Sequence, residues 1–356
     1  MTSILETARG ADGLVTAPYG PAAAAGRDVL AAGGNAIEAM IAAAAAIAVV
    51  YPHMNGVGGD GFWLIHVPGR DEPVAVQACG PAGAKATPEL YRENGMGNVP
   101  ARGPLAANTV PGAVAGWQEA LALAADCGGT MPLARLLEPA IALAADGVAT
   151  SGSHADNATA CAGELAGLPG FAALHLPGGR APAPEETFRQ PALAATLQAL
   201  ADDGLDGFYR GALARRIADG MAAAGCPVTA GDLAAFRARR VAPLSLRLGV
   251  GTGYNLPPPS QGVAALMILG VFERLGVQSA DGFPFVHGLI ESTKLAYAVR
   301  DAIVADPAAM AEDPADYLTD AALDARAGLV DRRKAAPWRR DVAKGDTVWM
   351  GAADRN

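Results

Sequence analysis

Residues 37–50 are apolar at every position except Glu38, and alanine fills half of them. The run is shorter than the ~20 residues a membrane span takes. Gly33-Gly34-Asn35 precede it and Pro52 stops it. A helix apolar on all sides belongs inside a protein, and Asn35 is placed to cap its start. Upstream, residues 13–18 read as a strand and 21–32 as a helix that Gly33-Gly34 ends. Downstream, the glycine cluster 55–61 leads into an apolar strand over 62–67. A second strand over 74–78 can pair with it across the turn 68–71. Residues 113–125 read as a helix after the glycine turn 108–112. From 133 to 240 the pattern is helical with short polar breaks: 139–146, 190–203, 212–225, and a further helix capped at Thr229. Short strands follow at 244–248 and 253–256. The rigid turn Pro257-Pro258-Pro259 then precedes helices over 263–275 and 287–304. Helices and strands alternate irregularly, with no repeat and no linker, which predicts one domain with a helix-covered sheet.

The balance of residues agrees with a packed interior. Of 356 residues, 51% are hydrophobic and 18% charged, more than enough apolar surface to offset chain entropy. A net charge of -9 argues against nucleic acid, which requires a clustered basic surface. The short basic runs Arg239-Arg240 and Arg332-Arg333-Lys334 read as solvated helix ends. Cys79, Cys127, Cys161 and Cys226 are far apart, without metal-ligand spacing, and are expected to be buried free thiols. The N-terminus lacks a basic segment followed by an apolar one. Free thiols and no visible leader give a cytoplasmic expectation, and no membrane partner is expected.

Known chemical motifs are mostly absent. Gly56-Val-Gly58-Gly-Asp-Gly61 has the spacing of a dinucleotide loop, but it follows a helix and precedes a strand, the reverse of such a site. There is no Walker loop, no His-Glu-X-X-His and no Gly-X-Ser-X-Gly. The five histidines are scattered along the chain, and His287 at a helix start reads as structural. The glycines of 55–61 are expected to take positive φ or to allow close backbone approach.

The end of the chain carries the one candidate nucleophile. A threonine hydroxyl needs a base beside it, and an N-terminal threonine has one in its own α-amino group. Cleavage between Asp346 and Thr347 would create that terminus. Residues 348–353 have the β-propensity to bury Thr347 at the start of a strand. By spacing and composition alone, Asp346-Thr347 reads as an ordinary loop-to-strand junction.

Six segments, in order, resemble the γ-glutamyltransferase family. They are Ala31-Ala-Gly-Gly-Asn-Ala-Ile-Glu-Ala39, Pro52-His-Met-Asn-Gly-Val-Gly-Gly-Asp-Gly-Phe62 and Thr109-Val-Pro-Gly-Ala-Val-Ala-Gly116. Then come Leu137-Glu-Pro-Ala-Ile-Ala-Leu-Ala-Ala-Asp-Gly147, Pro257-Pro-Pro-Ser-Gln-Gly262 and Glu291-Ser-Thr-Lys-Leu-Ala-Tyr-Ala-Val-Arg-Asp301. The resemblance spans essentially the whole chain. It implies an α/β fold, the four-layer αββα sandwich of N-terminal-nucleophile hydrolases, incomplete in this chain. Residues 1–346 would be the large-subunit region, a single domain, and 347–356 the truncated start of the small subunit. Thr347 would be the catalytic threonine, freed by autocleavage after Asp346, acting through an acyl-enzyme with no metal or organic cofactor. The small subunit would supply the oxyanion-hole glycines and most substrate-binding groups. This length of chain is therefore expected to be inactive alone, with the missing small-subunit segment as its partner.

Two departures bear on substrate. The family's γ-glutamyl enzymes carry an arginine just before the segment matching Gly83-Ala-Lys-Ala-Thr87, and it grips the glutamate α-carboxylate, as a bidentate guanidinium is suited to do. Cys79 stands there in this sequence. After the nucleophile the family usually has threonine and histidine, whereas this chain has Val348 and Trp349. That pattern resembles the branch containing oxamate amidohydrolase and implies a small amide substrate. The alternatives are a γ-glutamyl transferase or hydrolase of glutathione-like compounds, or an inactive member serving as a scaffold.

Overall fold

The computed structural model describes residues 7–338 and 347–356. Its strands are β1 (Gly13–Thr16), β2 (Gly61–Ile65), β3 (Val74–Ala78), β4 (Val148–Ala149), β5 (Thr187–Phe188), β6 (Arg239–Val241), β7 (Leu244–Leu248), β8 (Gly251–Asn255) and β9 (Gly351–Asp354). Its helices are α1 (Gly20–Ala31), α2 (Ala36–Val50), α3 (Pro88–Glu93), α4 (Ala113–Asp126), α5 (Leu133–Asp146), α6 (Gly152–Leu165), α7 (Pro169–His175), α8 (Pro191–Asp203), α9 (Ala212–Ala224), α10 (Ala230–Ala235), α11 (Gly262–Arg274), α12 (Phe283–Ile303) and α13 (Asp320–Ala327). The mixture is the α/β class expected. The chain divides into two compact units: Met1–Gly61 with Ala78–Ala238 and Gly345–Asn356, and Phe62–Gln77 with Arg239–Lys344.

In the first unit α2 is the central element. It packs against α1, α4 and α5, and twelve of its side chains from Ile37 onward form a wall of small apolar groups with Glu38 buried among them. The start of α2 is fixed by a reciprocal cap. Asn35 Oδ1 accepts from the Glu38 N–H (2.9 Å), and Glu38 Oε2 accepts from the Asn35 N–H (2.8 Å). The other oxygen of Glu38 accepts from the Met131 N–H at 2.7 Å. The buried carboxylate is thus satisfied twice, as burial of a charge demands. No described helix is long and apolar enough to cross a membrane.

The second unit holds β2, β3 and β6 as one sheet, except the end residues Gly61 and Ala78, and the β7–β8 hairpin. Leu244 and Leu246 of that hairpin pack with Val263, Met267 and Val271 of α11, Ala296 of α12 and Leu323 of α13. His287 is buried there with Nε2 2.7 Å from the Asp331 carbonyl, a structural place. Arg239 and Arg240 lie in β6, not at a helix end, because residues 239–241 complete the β3 edge; Arg239 donates to Gln77 Oε1 at 3.1 Å.

Candidate active site

Two segments carry the residues singled out by sequence, and both lie in the first unit. The first is the approach to β9. Register pairs Gly13 with Asp354 and Thr16 with Gly351, antiparallel. Asp354 Oδ2 accepts from the Ala36 N–H at 2.6 Å, which puts a carboxylate at the positive end of α2. Strand β9 is therefore tied at its side by β1 and at its end by α2.

Thr347 stands four residues before that strand and is exposed. The expectation that 348–353 form a strand burying Thr347 at its start is corrected here. Strand pairing begins only at Gly351. The reason lies in the partner: beyond Thr16 come Ala17 and Pro18, and α1 starts at Gly20. Proline has no N–H to donate, and a helix offers no strand edge. Residues 347–350 consequently have no partner strand in β1, and Trp349 is 75% exposed. Asp346 lies outside the described residues.

The second segment surrounds Cys79. Residues 78–83 run alongside 108–112: the Val110 N–H donates to the Pro81 carbonyl (2.9 Å), the Gly83 N–H to Asn108 (2.8 Å), and Ala82 bridges Thr109. The two backbones come so close that a Cβ on Gly80 would sit 1.9 Å from the Val110 carbonyl oxygen, and one on Gly112 would sit 2.0 Å from that of Ala78. Cys79 is held between these two glycine contacts; no disulfide joins any of the four cysteines, and all are half-buried instead of buried. Tyr209 braces the crossing from below. Its hydroxyl donates to the Pro111 carbonyl and accepts from the Ala115 N–H, both at 2.9 Å. Burial pushes the Tyr209 pKa far up, so the hydroxyl stays neutral.

The glycine turn 55–61 docks onto the same crossing. Asn55 Nδ2 donates to the Tyr51 carbonyl at the end of α2 (2.8 Å). The Gly59 carbonyl accepts from the N–H groups of Gly112 (2.8 Å) and Ala113 (2.9 Å), which open α4. The expected positive φ is not found at Gly56, Gly58 or Gly59, and a Cβ on Gly58 would meet nothing within 4 Å. Close approach is needed instead at Gly80 and Gly112, where two backbones cross; the turn touches them through a carbonyl that any residue has.

Asp60, the one charged residue of that turn, went unassigned by sequence. It is exposed at one edge, yet surrounding protein raises its pKa, while a hydrogen bond from the Gly80 N–H pulls the other way. Near this segment Arg92 pairs with Glu89 at 2.8 Å and Arg102 with Glu164 at 3.0 Å, all four side chains exposed.

Three histidines far apart in sequence also meet. His53 and His154 stack with ring centroids 5.4 Å apart, and His154 Nε2 lies 3.1 Å from His175 Nδ1. His53 Nε2 is 2.9 Å from Ser153 Oγ. Burial, and then the neighbouring imidazoles, lower the pKa of His154 to about 4; His53 and His175 are lowered too, burial leading in both. Their distance in sequence hid this group. No cluster suited to a metal exists among the described residues.

The fold is that of the N-terminal-nucleophile hydrolases, as its likeness to solved acylase and γ-glutamyltranspeptidase structures shows. The chain belongs to the gamma-glutamyltranspeptidase family, whose sequence profile matches residues 22–356. It is 50% identical over 345 residues to the oxamate amidohydrolase proenzyme of Klebsiella pneumoniae, covering 97% of this chain and 65% of that protein. It therefore spans about two thirds of that relative's length. Among solved structures, cephalosporin acylase from Bacillus halodurans matches with a TM-score of 0.85 at 29% identity, covering 99% of this chain and 66% of that one. The γ-glutamyltranspeptidase of Helicobacter pylori matches with a TM-score of 0.83 at 28% identity, covering 93% and 95%.

Proposed function

We propose that the complete protein is an amidohydrolase that uses Thr347 as an N-terminal nucleophile against a small amide such as oxamate. The supporting observation is the half-identity, across 97% of this chain, to an oxamate amidohydrolase proenzyme. Once the bond after Asp346 is cut, the Thr347 α-amino group has a pKa near ~8, so a usable fraction is neutral at pH 7. It takes the proton from Oγ as that oxygen attacks the amide carbonyl. The proton passes to the leaving nitrogen, an acyl-enzyme remains, and water releases the acid by the same route in reverse. The tie of β9 to β1 and to α2 anchors the chain four residues after the nucleophile.

In this reading Cys79 lines the acyl side of the pocket. A thiol there offers no charge to a substrate carboxylate. The loss of a charge-assisted hydrogen bond costs about 1.5–3 kcal/mol, roughly one to two powers of ten in binding. The complete protein is thus expected to release ammonia from oxamate and to turn over γ-glutamyl anilides weakly. Steady-state kinetics on both substrates, with Thr347→Ala as the blank, test this. Efficient γ-glutamyl transfer without oxamate hydrolysis would make the protein a γ-glutamyl transferase instead.

A further inference from the structure

Residues 331–338 form no helix or strand, and all eight are exposed. They are nonetheless held along α12 in the second unit. His287 Nε2 donates to the Asp331 carbonyl at 2.7 Å. The Ala336 N–H donates to Glu291 Oε2 at 3.2 Å, and Lys294 Nζ donates to the Ala336 carbonyl. The Trp338 ring lies against that of Tyr297, with centroids 6.2 Å apart, and the Arg300 guanidinium sits over the Tyr297 ring, 3.8 Å from its centroid. Residues 287, 291, 294 and 297 follow one another three or four apart, the spacing of neighbours on a helix surface.

The grip on Ala336 is made by charges. Glu291 is buried, and its Oε1 accepts from Lys294 Nζ at 2.6 Å. The two side chains are 5% and 15% exposed. A buried ion pair seldom adds net stability, because desolvation offsets the attraction, and apolar residues of the same volume often serve as well. This pair does what apolar side chains cannot: it takes both the N–H and the carbonyl of one residue. It therefore fixes the path of the backbone whatever side chain stands at 336. Glu291, Lys294, Tyr297 and Arg300 all fall in the segment Glu291–Asp301, a motif to which the amidase chemistry gives no task.

We propose that Glu291 and Lys294 are positioning residues for self-cleavage: by gripping Ala336 they anchor the chain shortly before the Asp346–Thr347 bond. This rests on the reading above in which Thr347 is freed by that cut. The cut is an acyl shift. Thr347 Oγ bonds to the Asp346 carbonyl carbon, the C–N bond breaks, the nitrogen takes the hydroxyl proton, and water cleaves the resulting ester. Its rate depends on how often the junction reaches bonding geometry. Trp338 stands eight residues before Asp346, and β9 is first paired at Gly351, four residues after Thr347. Loss of the grip moves the last anchored residue back to Asp331. The span up to Gly351 then grows from 12 residues (339–350) to 19 (332–350). By the scaling of loop closure with length, the required geometry becomes about twofold rarer.

The test uses the complete protein, pulse-labelled, and follows the smaller fragment as it appears. Glu291→Met with Lys294→Met removes both charges together, so neither is left buried alone. Ala336→Pro removes only the N–H that Glu291 accepts and leaves the ion pair in place. We expect each variant to lengthen the half-time of cleavage at least about twofold. The matured fraction of each should keep the parent's kcat/KM for whichever of oxamate and γ-glutamyl-p-nitroanilide the parent cleaves, since the grip acts before the cut. A parental half-time in either variant that folds overturns the proposal. So does a fall of kcat/KM in step with slower cleavage, the mark of residues that only support the fold. Should the double variant not fold, Ala336→Pro decides. A smaller fragment beginning at Thr347 in the unsubstituted protein separates this failure from failure of the nucleophile reading. If that protein stays uncut, both fall together.

Discussion

Gly80 and Gly112 are the positions where the backbone leaves least choice. A methyl group at either would overlap a carbonyl oxygen belonging to the other strand of the crossing. Overpacking of this kind costs typically 1–3 kcal/mol, occasionally more, and here the obstacle is backbone, which yields less than a side chain. Gly80→Ala and Gly112→Ala should each lower the unfolding free energy read from urea denaturation by at least that much, whereas Gly58→Ala, whose Cβ meets open space, should change it little. Equal effects at all three positions would refute the assignment of the crossing as the constrained point. Sequence pointed to the run 55–61 because glycines cluster there. The two glycines under constraint sit singly, in Cys79-Gly80-Pro81 and Pro111-Gly112-Ala113, and only contact between segments 30 residues apart reveals why glycine is needed. The proposed nucleophile, by contrast, was picked from an Asp-Thr junction combined with six ordered motifs, which need no contact map.

At the scale of elements, α2 was readable almost to its ends. Apolar residues on every side leave it only an interior, and Asn35 with Glu38 three positions on has the pattern of a reciprocal cap. The start of β9 was less readable, since β-propensity favoured 348–353 and could not show that β1 runs out at Pro18. Asp354 gives the C-terminal strand its second anchor. Asp354→Ala removes a carboxylate from the α2 N-terminus, a loss of about 0.5–2 kcal/mol, and Asp354→Asn should keep part of it. Chemical denaturation of the three proteins ranks them. The histidine group adds a pH dependence. An unfolded histidine takes its proton near 6.5, whereas folded His154 does so only at about 4. The unfolded state therefore binds more protons between these values, and stability falls as pH drops from 6.5 towards 4, with no further loss from this group below. The melting temperature should decline across that window, and His154→Phe should flatten the decline. A variant with the same pH slope as the parent would show that the group does not govern it. Three histidines 101 and 21 residues apart have no sequence signature, so this part of the fold was invisible before the chain was folded.

At the scale of the whole molecule, the family and the α/β fold could be inferred from ordered motifs, because each marks a place where backbone and side chain together are constrained: a cap, a crossing, a rigid proline turn. Substrate was harder to read, since it depends on which groups face one another across a pocket, and the chain spans only about two thirds of its relative's length. The account depends most on Thr347 becoming an N-terminus, four residues before the fixed strand β9. The direct measurement is N-terminal sequencing of the smaller fragment after the complete protein is expressed and purified. The account predicts a fragment beginning Thr347-Val348-Trp349-Met350, and a single uncut chain in Thr347→Ala. A fragment that begins at any other residue, or cleavage that persists in Thr347→Ala, would contradict it.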